Sequence, residues 1–300
     1  MERRHERELD PTSATEPEVA VEASPPAPAN AALARMTKTE RARALSAQTG
    51  GNAALARSLR TLAREDDVAT ASPPGRGVST EFGEYWIVPD STTQSFADVT
   101  GEQITETEFA ALQAVWNKLK DGSGNVKITE KDDAGGDHAG FQAKMLVCFG
   151  KLLSQPGGRA MVAGLVNGSQ VVTVGPTSLK KIAQATRGAG AVENPDGSAG
   201  AGGSTTIRID ADLKDDAVVA FDKDGKEIPS PVWLILGHEL IHAEHNAAGR
   251  NQRNKAGSSA AWGNAEEEAT IATGSGFTEN KLRAEHGMTD VRFGHGIKIK

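Results

Sequence analysis

Apolar and polar positions recur with changing periods along the chain, and these periods predict a series of helices and strands. From residue 79 onward the pattern predicts strands in "EFGEYWIV", "NVKITEKD", "QVVTVGP" and "STTIRIDADL". It predicts helices over 104–119, in "HAGFQAKMLVCFGKLLSQ" and in "SLKKIAQAT". The stretch "VVAFDKDGKEI" predicts a hairpin that turns at Asp224–Gly225. Helices and strands in this irregular order predict an α+β fold with a small mixed sheet.

The first 78 residues have a different pattern. Residues 1 to about 30 contain almost no large apolar side chains, which predicts disorder. The following stretch, "MTKTERARALSAQTGGNAALARSLRTLARE", predicts two short helices that Gly50–Gly51 separates, and "DDVATASPPGRG" predicts a linker. We therefore divide the chain into a mostly disordered, partly helical tail, 1–78, and a packed domain, 79–300. Within the domain, the glycine-rich segment 188–203 predicts a mobile loop at the rim of a cleft.

One apolar run, "LILGHELIHAEHN" at 234–246, contains three histidines and two glutamates. Ser230 is suited to cap a helix there, Pro231 to the first helical position and Gly249 to the position just past the end. The positions between them are apolar nearly all the way round, which predicts a helix buried in the middle of the domain. Buried imidazole and carboxylate groups need partners, because burying them alone costs several kcal/mol.

The spacing of these polar residues indicates a metal site. On a helix His238 and His242 are about one turn, or 6 Å, apart, so both imidazoles can converge on one ion. Glu239 lies about 100° round the helix, where it can reach a water at that ion without being a ligand. Imidazole nitrogens with a nearby carboxylate favour Zn²⁺ over Mg²⁺ or Ca²⁺. His245 lies about 10 Å from His238 along the axis, so we interpret it as a surface or supporting residue.

A catalytic zinc ion needs a third protein ligand and an open position. The segment "WGNAEEEATIATG" offers Glu266, Glu267 and Glu268. Consecutive helical residues point about 100° apart, so at most one of the three carboxylates faces a shared metal. The spacing alone does not choose among them.

Charge, cysteine content and hydropathy exclude several other functions. Residues 1–78 carry 11 basic and 11 acidic side chains, so the formal charge of −7 lies on 79–300 and argues against nucleic-acid binding. The single cysteine, Cys148, excludes an internal disulfide and predicts a buried, unreactive thiol. The charged start "MERRHERELD" and the absence of a long apolar run predict neither a Sec-type signal nor a membrane anchor.

Four blocks in the last third of the chain resemble a known peptidase family. In order, they are "GHELIHAEHN", "AEEEATIATG", "TENKLRAEHG" and "VRFGH". They are similar to the motifs of the NleD-type secreted effector metallopeptidases and, more distantly, of clostridial neurotoxin light chains. The resemblance implies a zincin-like fold around the HExxH helix, with two histidines and one glutamate holding Zn²⁺. It covers 230–296.

The resemblance also implies roles for individual residues. The family's "EE-x-x-T-x-G" pattern aligns best with Glu267 as the third ligand, although Ala272 replaces the glycine and a slip to Glu268 stays open. Glu279 corresponds to a carboxylate that orients a ligand histidine. Arg292 matches an arginine that stabilises the oxyanion, and His295 stands where the family has tyrosine.

The tail has a resemblance of its own. "ALSAQTGGNAALARSL" is similar to a segment found in proteins associated with extracellular contractile injection systems. This implies a cargo that is made in the cytoplasm, contacts the tube or baseplate of the particle, and is injected into a target cell.

These observations predict a zinc endopeptidase, an effector or toxin, whose substrate is a protein. The strand "STTIRID" is expected, by analogy with related folds, to bind an extended peptide along its edge. One alternative is a non-catalytic cargo or structural component in which zinc only braces the fold. Another is a zinc hydrolase that acts on small amides or cell-wall peptides.

Overall fold

The structure is a computed structural model, and it describes residues 73–179, 182–274 and 276–300. The predicted disorder, the two short helices of the tail and the injection-system segment all fall outside the described residues, so they stay predictions, as does the boundary at residue 79. No helix within the described ranges has the length and apolarity to cross a membrane.

The described chain begins with a three-stranded sheet. Its strands, in the order β1-β2-β3, are β1 (Arg76–Thr80), β2 (Gly83–Val88) and β3 (Glu102–Thr105). β1 and β2 form an antiparallel hairpin, and β3 runs parallel to β2. The strand predicted in "EFGEYWIV" is confirmed as β2. β1 starts inside the stretch predicted as a linker, because its side chains are mostly exposed and give no clear apolar signal.

Three helices follow and supply much of the core. They are α1 (Glu106–Asp121), α2 (Phe141–Leu153) and α3 (Pro156–Asn167). α1 begins with a capping box between Thr105 and Glu108, which confirms the predicted amphipathic helix. α2 is also confirmed. α3 is missing from the sequence prediction, because Pro156–Gly157–Gly158 resembles a helix stop in the sequence, whereas Pro156 stands at the first position of the next helix.

A four-stranded mixed sheet lies at the centre of the domain. In spatial order its strands are β4 (Val126–Ile128), β5 (Val172–Thr177), β7 (Thr205–Asp210) and β6 (Ala183–Arg187). β4, β5 and β7 run parallel to one another, and the edge strand β6 pairs antiparallel with β7.

Two predictions about this sheet are wrong. "SLKKIAQAT" was predicted to be a helix, yet residues 183–187 form β6, because pairing with β7 outweighs a weak local helical preference. "STTIRID" was expected to offer an open edge to a peptide. It forms β7, and both of its edges are occupied, by β5 and by β6. The edge strands of this sheet are β4 and β6.

The rest of the domain surrounds one buried helix. A second antiparallel sheet has the order β10-β8-β9, with β8 (Val218–Phe221), β9 (Glu227–Pro229) and β10 (Ile297–Ile299). The helices are α4 (Val232–Ala247), α5 (Ala265–Glu268) and α6 (Glu279–Glu285), with a 3₁₀ turn at Ala260–Trp262 and a π-helical turn at Ala269–Thr273. The predicted turn at Asp224–Gly225 is confirmed between β8 and β9.

The central helix α4 carries the HExxH motif and packs against α2, α3, α6, β6 and β7. Gly237 permits this packing, because a Cβ there would lie 2.9 Å from Leu282 Cδ1. Contrary to the prediction, Ser230 does not cap the helix, because it lies two residues before Val232. Asp215 Oδ1 instead accepts a hydrogen bond from the Val232 N–H at 3.0 Å. The predicted α+β fold around a central HExxH helix is thus confirmed.

The glycine-rich segment 188–203 forms no regular element except an isolated bridge between Val192 and Asn251. It packs closely against the end of α4, where the Gly200 N–H donates to Gly249 O at 2.8 Å. Gly249 has φ +67°, and a Cβ there would lie 2.3 Å from Gly200 O. The glycines therefore allow the backbone of 188–203 to lie close to the backbone at the end of α4. This close packing was not part of the prediction of a mobile loop.

Cys148 is buried and forms no disulfide, as predicted. Burial raises the pKa of its thiol to about 12, so the reactive thiolate form is suppressed.

Candidate metal centre

The two histidines of the HExxH motif meet on one face of α4. His238 and His242 are both buried, and their Nε2 atoms lie 3.1 Å apart. Their rings stand nearly perpendicular, with centroids 4.8 Å apart. Both Nε2 atoms therefore point at the same small volume, as the one-turn spacing predicts.

Glu267 brings a carboxylate to this volume from α5. Its Oε2 lies 3.3 Å from His238 Nε2 and 3.4 Å from His242 Nε2. The three ligand atoms all lie within 4.8 Å of one another. Of the neighbouring glutamates, Glu266 contacts the far side of His242, and Glu268 accepts hydrogen bonds from Ser258. The structure thus directs Glu267 alone, of the three consecutive carboxylates, toward both Nε2 atoms.

This donor set fits a tetrahedral metal ion. Metal–ligand bonds of about 2.0–2.1 Å place neighbouring donor atoms about 3.3 Å apart, close to the spacing of these three atoms. Glu267 Oε2 is buried and, within the described part of the chain, has no hydrogen-bond partner. A buried carboxylate oxygen without a partner is costly, and an ion at this point would satisfy it. Two imidazoles and one carboxylate also leave one position open, which is typical of a catalytic site.

Glu279 holds the other side of His238. The His238 Nδ1–H donates to Glu279 Oε2 at 3.0 Å, which leaves Nε2 free for an ion. Arg283 Nε donates to the same carboxylate at 3.0 Å and Arg292 Nη1 at 2.5 Å. Burial alone would raise the pKa of Glu279, but Arg292, His238 and Arg283 outweigh it and hold that pKa well below its usual range. Glu279 therefore lies where the resemblance placed an orienting carboxylate.

Glu266 plays the same part for His242, and sequence reasoning did not assign it this place. Its Oε1 accepts from the Nδ1–H groups of His242 and His245, each at 2.8 Å. Its Oε2 accepts from the Gln252 N–H at 2.9 Å. The hydrogen bonds from the two histidines outweigh burial and lower the pKa of Glu266 to about 2. His245 is buried and supports this carboxylate, which agrees with a supporting residue and not with a surface one.

A signal for Glu266 was present in the sequence. Three consecutive glutamates on one short helix point in different directions, so only one can face the metal. A third histidine one turn after His242 needs a partner of its own when it is buried. What the sequence does not show is that α5 packs so that both requirements fall on Glu266.

Protons and metal compete for the two ligand histidines. Burial opposes the charged form of His242, but the hydrogen bond with Glu266 and the negative charge of Glu267 raise its pKa to about 10. In the same way, Glu267 and Glu279 outweigh burial and raise the pKa of His238. A metal ion has to displace these protons, so binding releases protons and strengthens as the pH rises.

Glu239 is buried beside the metal centre and lines the same cavity. Burial raises its pKa above the ordinary value of a glutamate, and a backbone hydrogen bond from Ala185 of β6 lowers it less strongly. A carboxylate with a raised pKa suits the exchange of protons with a substrate near neutral pH.

Arg292 and His295 come from the last segment of the chain. Arg292 is buried, and besides Glu279 its guanidinium donates to Gly294 O at 3.2 Å and His295 O at 2.9 Å. Each Nη atom of Arg292 carries a second N–H group that donates to no described residue. His295 Nε2 lies 3.5 Å from Glu267 Oε2, and about half of its side chain is exposed. The structure therefore brings both residues to the metal centre, although they follow α4 by some fifty positions.

These residues line a cavity of about 570 Å³. One wall is the edge strand β6 with Ile182, a second is α4, and a third is the last segment of the chain from Arg292 to Ile299. Residues along most of β6 line the cavity, so an extended chain can lie beside this strand.

A model of the Peptidase_M91 family, described as effector protein, matches residues 129–292. The match covers slightly more than half of the chain and includes every residue of the metal centre, though not His295. No curated protein matches the chain.

Proposed function

The chain belongs to the Peptidase_M91 family of effector proteins, and from that premise we propose that it is a zinc-dependent endopeptidase that cleaves a protein in a target cell. One observation carries the proposal: Glu267 Oε2 is buried, has no hydrogen-bond partner among the described residues, and lies 3.3 and 3.4 Å from the Nε2 atoms of His238 and His242. Within the family, the four motif blocks favour the NleD-type members.

His238, His242 and Glu267 would hold the ion. Two neutral nitrogen donors and one oxygen donor favour Zn²⁺ over Mg²⁺ and Ca²⁺, which prefer all-oxygen sites. Bound there, zinc would supply Lewis acidity, lowering the pKa of a water molecule and polarising the scissile carbonyl.

Glu239 is the general base in this proposal. It takes a proton from the attacking water and passes that proton to the leaving amine. Its burial and raised pKa support both steps, because the carboxylate then gains a proton more readily than an exposed glutamate.

Arg292 and His295 stabilise the oxyanion. The free N–H groups of Arg292 and the half-exposed imidazole of His295 lie at the cavity wall, within reach of a bound peptide. We expect His295 to donate the hydrogen bond that tyrosine donates in the family pattern. His295→Ala should then lower kcat by roughly 10- to 100-fold, and His295→Tyr should retain most activity.

The outer edge of β6 is where we expect the peptide to bind. β6 pairs with β7 on one side only, and its residues line the cavity on the other. An extended peptide can therefore add to this edge through backbone hydrogen bonds.

We further propose that the tail directs delivery. The segment resembling injection-system proteins would load the chain, made in the cytoplasm, through contacts with the tube or baseplate. Deleting 1–72 should prevent loading into particles and leave cleavage by the purified domain unchanged.

Glu239→Gln tests the central proposal. The substitution keeps the shape and leaves all three metal ligands, so we expect one zinc ion per chain and a roughly 10²- to 10⁴-fold loss of proteome cleavage. Glu244→Gln, on the same helix and paired with Arg250, is the matched control. Cleavage is read from new amino termini in a proteome.

The alternatives give different results. If zinc only braces a non-catalytic cargo, the wild type and Glu239→Gln bind zinc equally and neither produces new termini. If the substrates are cell-wall peptides or small amides, Glu239→Gln abolishes hydrolysis of those compounds and the proteome is untouched by either protein.

A further inference from the structure

The substrate cavity has two chemically different ends. The apolar end is formed by four isoleucines: Ile182 just before β6, Ile235 on α4, and Ile297 and Ile299 on β10. The basic end is formed by Arg187 and Arg253. The metal centre lies between them.

The chain path places the apolar end at the start of α4. Ile299 pairs with Val218, whose carbonyl accepts a hydrogen bond from the Ser230 N–H just before the helix. Ile182 lies at the other wall, where its carbonyl accepts from the Asp210 N–H. Ile297 and Ile299 are 40% and 58% exposed, so apolar surface at this end of the cavity is open to a ligand.

The same path places the basic end beyond the end of α4. Arg187 pairs with Thr205, which accepts a hydrogen bond from Asn246 in the last turn of the helix. Arg253 follows Asn251, which also bonds to Asn246. β6 therefore runs alongside α4 from one end of the cavity to the other.

The two arginines are free to bind a ligand. Neither guanidinium forms a hydrogen bond or ion pair with any described residue, in contrast to Arg283 and Arg292. Among the described charged residues of the cavity wall, only these two contact neither the metal centre nor its supporting carboxylates. A chain with a net charge of −7 thus presents local positive charge at one end of its cleft.

The dimensions fit a short peptide. Ile235 and Asn246 are eleven positions apart on α4, or about 16 Å. An extended chain covers that distance in about five residues. Each end of the cavity therefore lies within about three residues of a bond held at the metal centre.

We propose that the cleft selects a peptide with a large apolar residue on one side of the cleaved bond and an acidic residue on the other. The inference rests on the proposed peptidase function. β10 contributes a wall of the apolar subsite, so this strand is a specificity element. Burial of an apolar side chain and pairing of a carboxylate with free arginines supply the two preferences.

The test is a cleavage profile. The zinc-loaded full chain is incubated with a peptide library prepared from a digested proteome, and the residues flanking each new terminus are counted. We expect enrichment of Leu, Ile, Val or Phe within three positions on one side of the cut. Asp or Glu should be enriched within three positions on the other.

Two variants assign the preferences to the two ends. Ile297→Ser with Ile299→Ser should reduce the apolar preference about tenfold and keep the acidic one. Arg187→Gln with Arg253→Gln should reduce the acidic preference about three- to tenfold, more at low salt. Val291→Ser, at an exposed apolar position outside the cavity, and Arg250→Gln, at an arginine paired with Glu244, should leave the profile unchanged.

The ratio of kcat/KM for two peptides, one with and one without the preferred residue, distinguishes a change in recognition from a defect in folding or metal binding. A folding or metal defect lowers cleavage of peptides with and without the preferred residue alike, whereas loss of a subsite changes only their ratio. Cleavage by the wild type with no preference, or variants that keep the wild-type preferences, would overturn the inference and leave the peptidase function intact. Absence of any cleavage by the wild type would instead overturn the proposed function.

Discussion

Each ligand histidine is held from behind by a buried glutamate, but the two glutamates are supported differently. Behind His238, Glu279 is held by Arg283 and Arg292, which we term the arginine-backed clamp. Behind His242, Glu266 is held by His245 and by the backbone of Gln252, which we term the histidine-backed clamp. Arginine remains charged at any accessible pH, whereas histidine can lose its proton.

The clamps also differ in what they connect. Arg283 donates to Pro229 O at 2.8 Å and to Ser230 Oγ at 2.9 Å, so the arginine-backed clamp ties α6 to the start of α4. Through Arg292 it also holds the last segment of the chain. The histidine-backed clamp links α4 and α5 to the loop that contains Gln252 and, through Thr270, to the π-helical turn. We therefore expect the first clamp to support the fold as well as the metal, and the second to act mainly on the metal.

The largest effect should follow from Glu279→Ala. This substitution leaves two buried arginines without their carboxylate, which should lower the free energy of unfolding by about 3–5 kcal/mol. Chemical denaturation of the metal-free protein measures it. A loss below about 1 kcal/mol would show that the arginine-backed clamp is not part of the fold.

Metal removal should have the next largest effect. An ion that binds only the folded state stabilises it by about 2.7 kcal/mol at a free concentration of 100 times Kd. Chelation should therefore lower Tm, and returning zinc should restore it. In Glu267→Gln, which lacks one ligand, zinc should raise Tm much less. Equal shifts in both proteins would place the ion elsewhere.

Glu266→Gln should have a smaller effect that is confined to the metal. An amide is a weaker acceptor for the His242 N–H, so zinc affinity should fall roughly 10- to 100-fold. Stability without metal should change far less than in Glu279→Ala. Competition with a chromogenic chelator measures the affinity, with Glu268→Gln, outside the metal centre, as the control. If Glu266→Gln destabilises the metal-free chain as much as Glu279→Ala, the distinction between the clamps fails.

The smallest effect concerns His286, at the end of α6 and in neither clamp. Burial lowers its pKa from 6.5 to about 4, and Lys151 adds to this shift. The unfolded chain therefore gains a proton first as the pH falls, so stability is lost between about pH 6.5 and 4 and is fully present above that range. Because the ring is partly exposed, we expect only about 1 kcal/mol.

His286→Gln should remove this part of the pH dependence. The unfolding free energies of the wild type and His286→Gln are measured without metal from about pH 6.5 to 4. The difference between the two proteins gives the contribution of His286 apart from those of the clamps. Parallel curves would show that His286 is as well solvated in the folded chain as in the unfolded one.

The sequence predicted the centre of the site better than its surroundings. α4 could be predicted because an apolar run and the His238–His242 spacing agree. The role of Glu266 depends on how α5 packs against α4, which no local pattern encodes. β6 was mistaken for a helix because its partner β7 is some twenty residues away. The cleft walls at β6 and β10 likewise depend on long-range pairing.

The central claim is that one ion lies between His238 Nε2, His242 Nε2 and Glu267 Oε2. A crystal structure of the zinc-loaded Glu239→Gln variant, with anomalous diffraction at the zinc edge, tests it most directly. We predict a single anomalous peak about 2.0–2.2 Å from each of the three atoms. A zinc-loaded crystal with no peak there, or with a peak bound by other residues, would contradict the account.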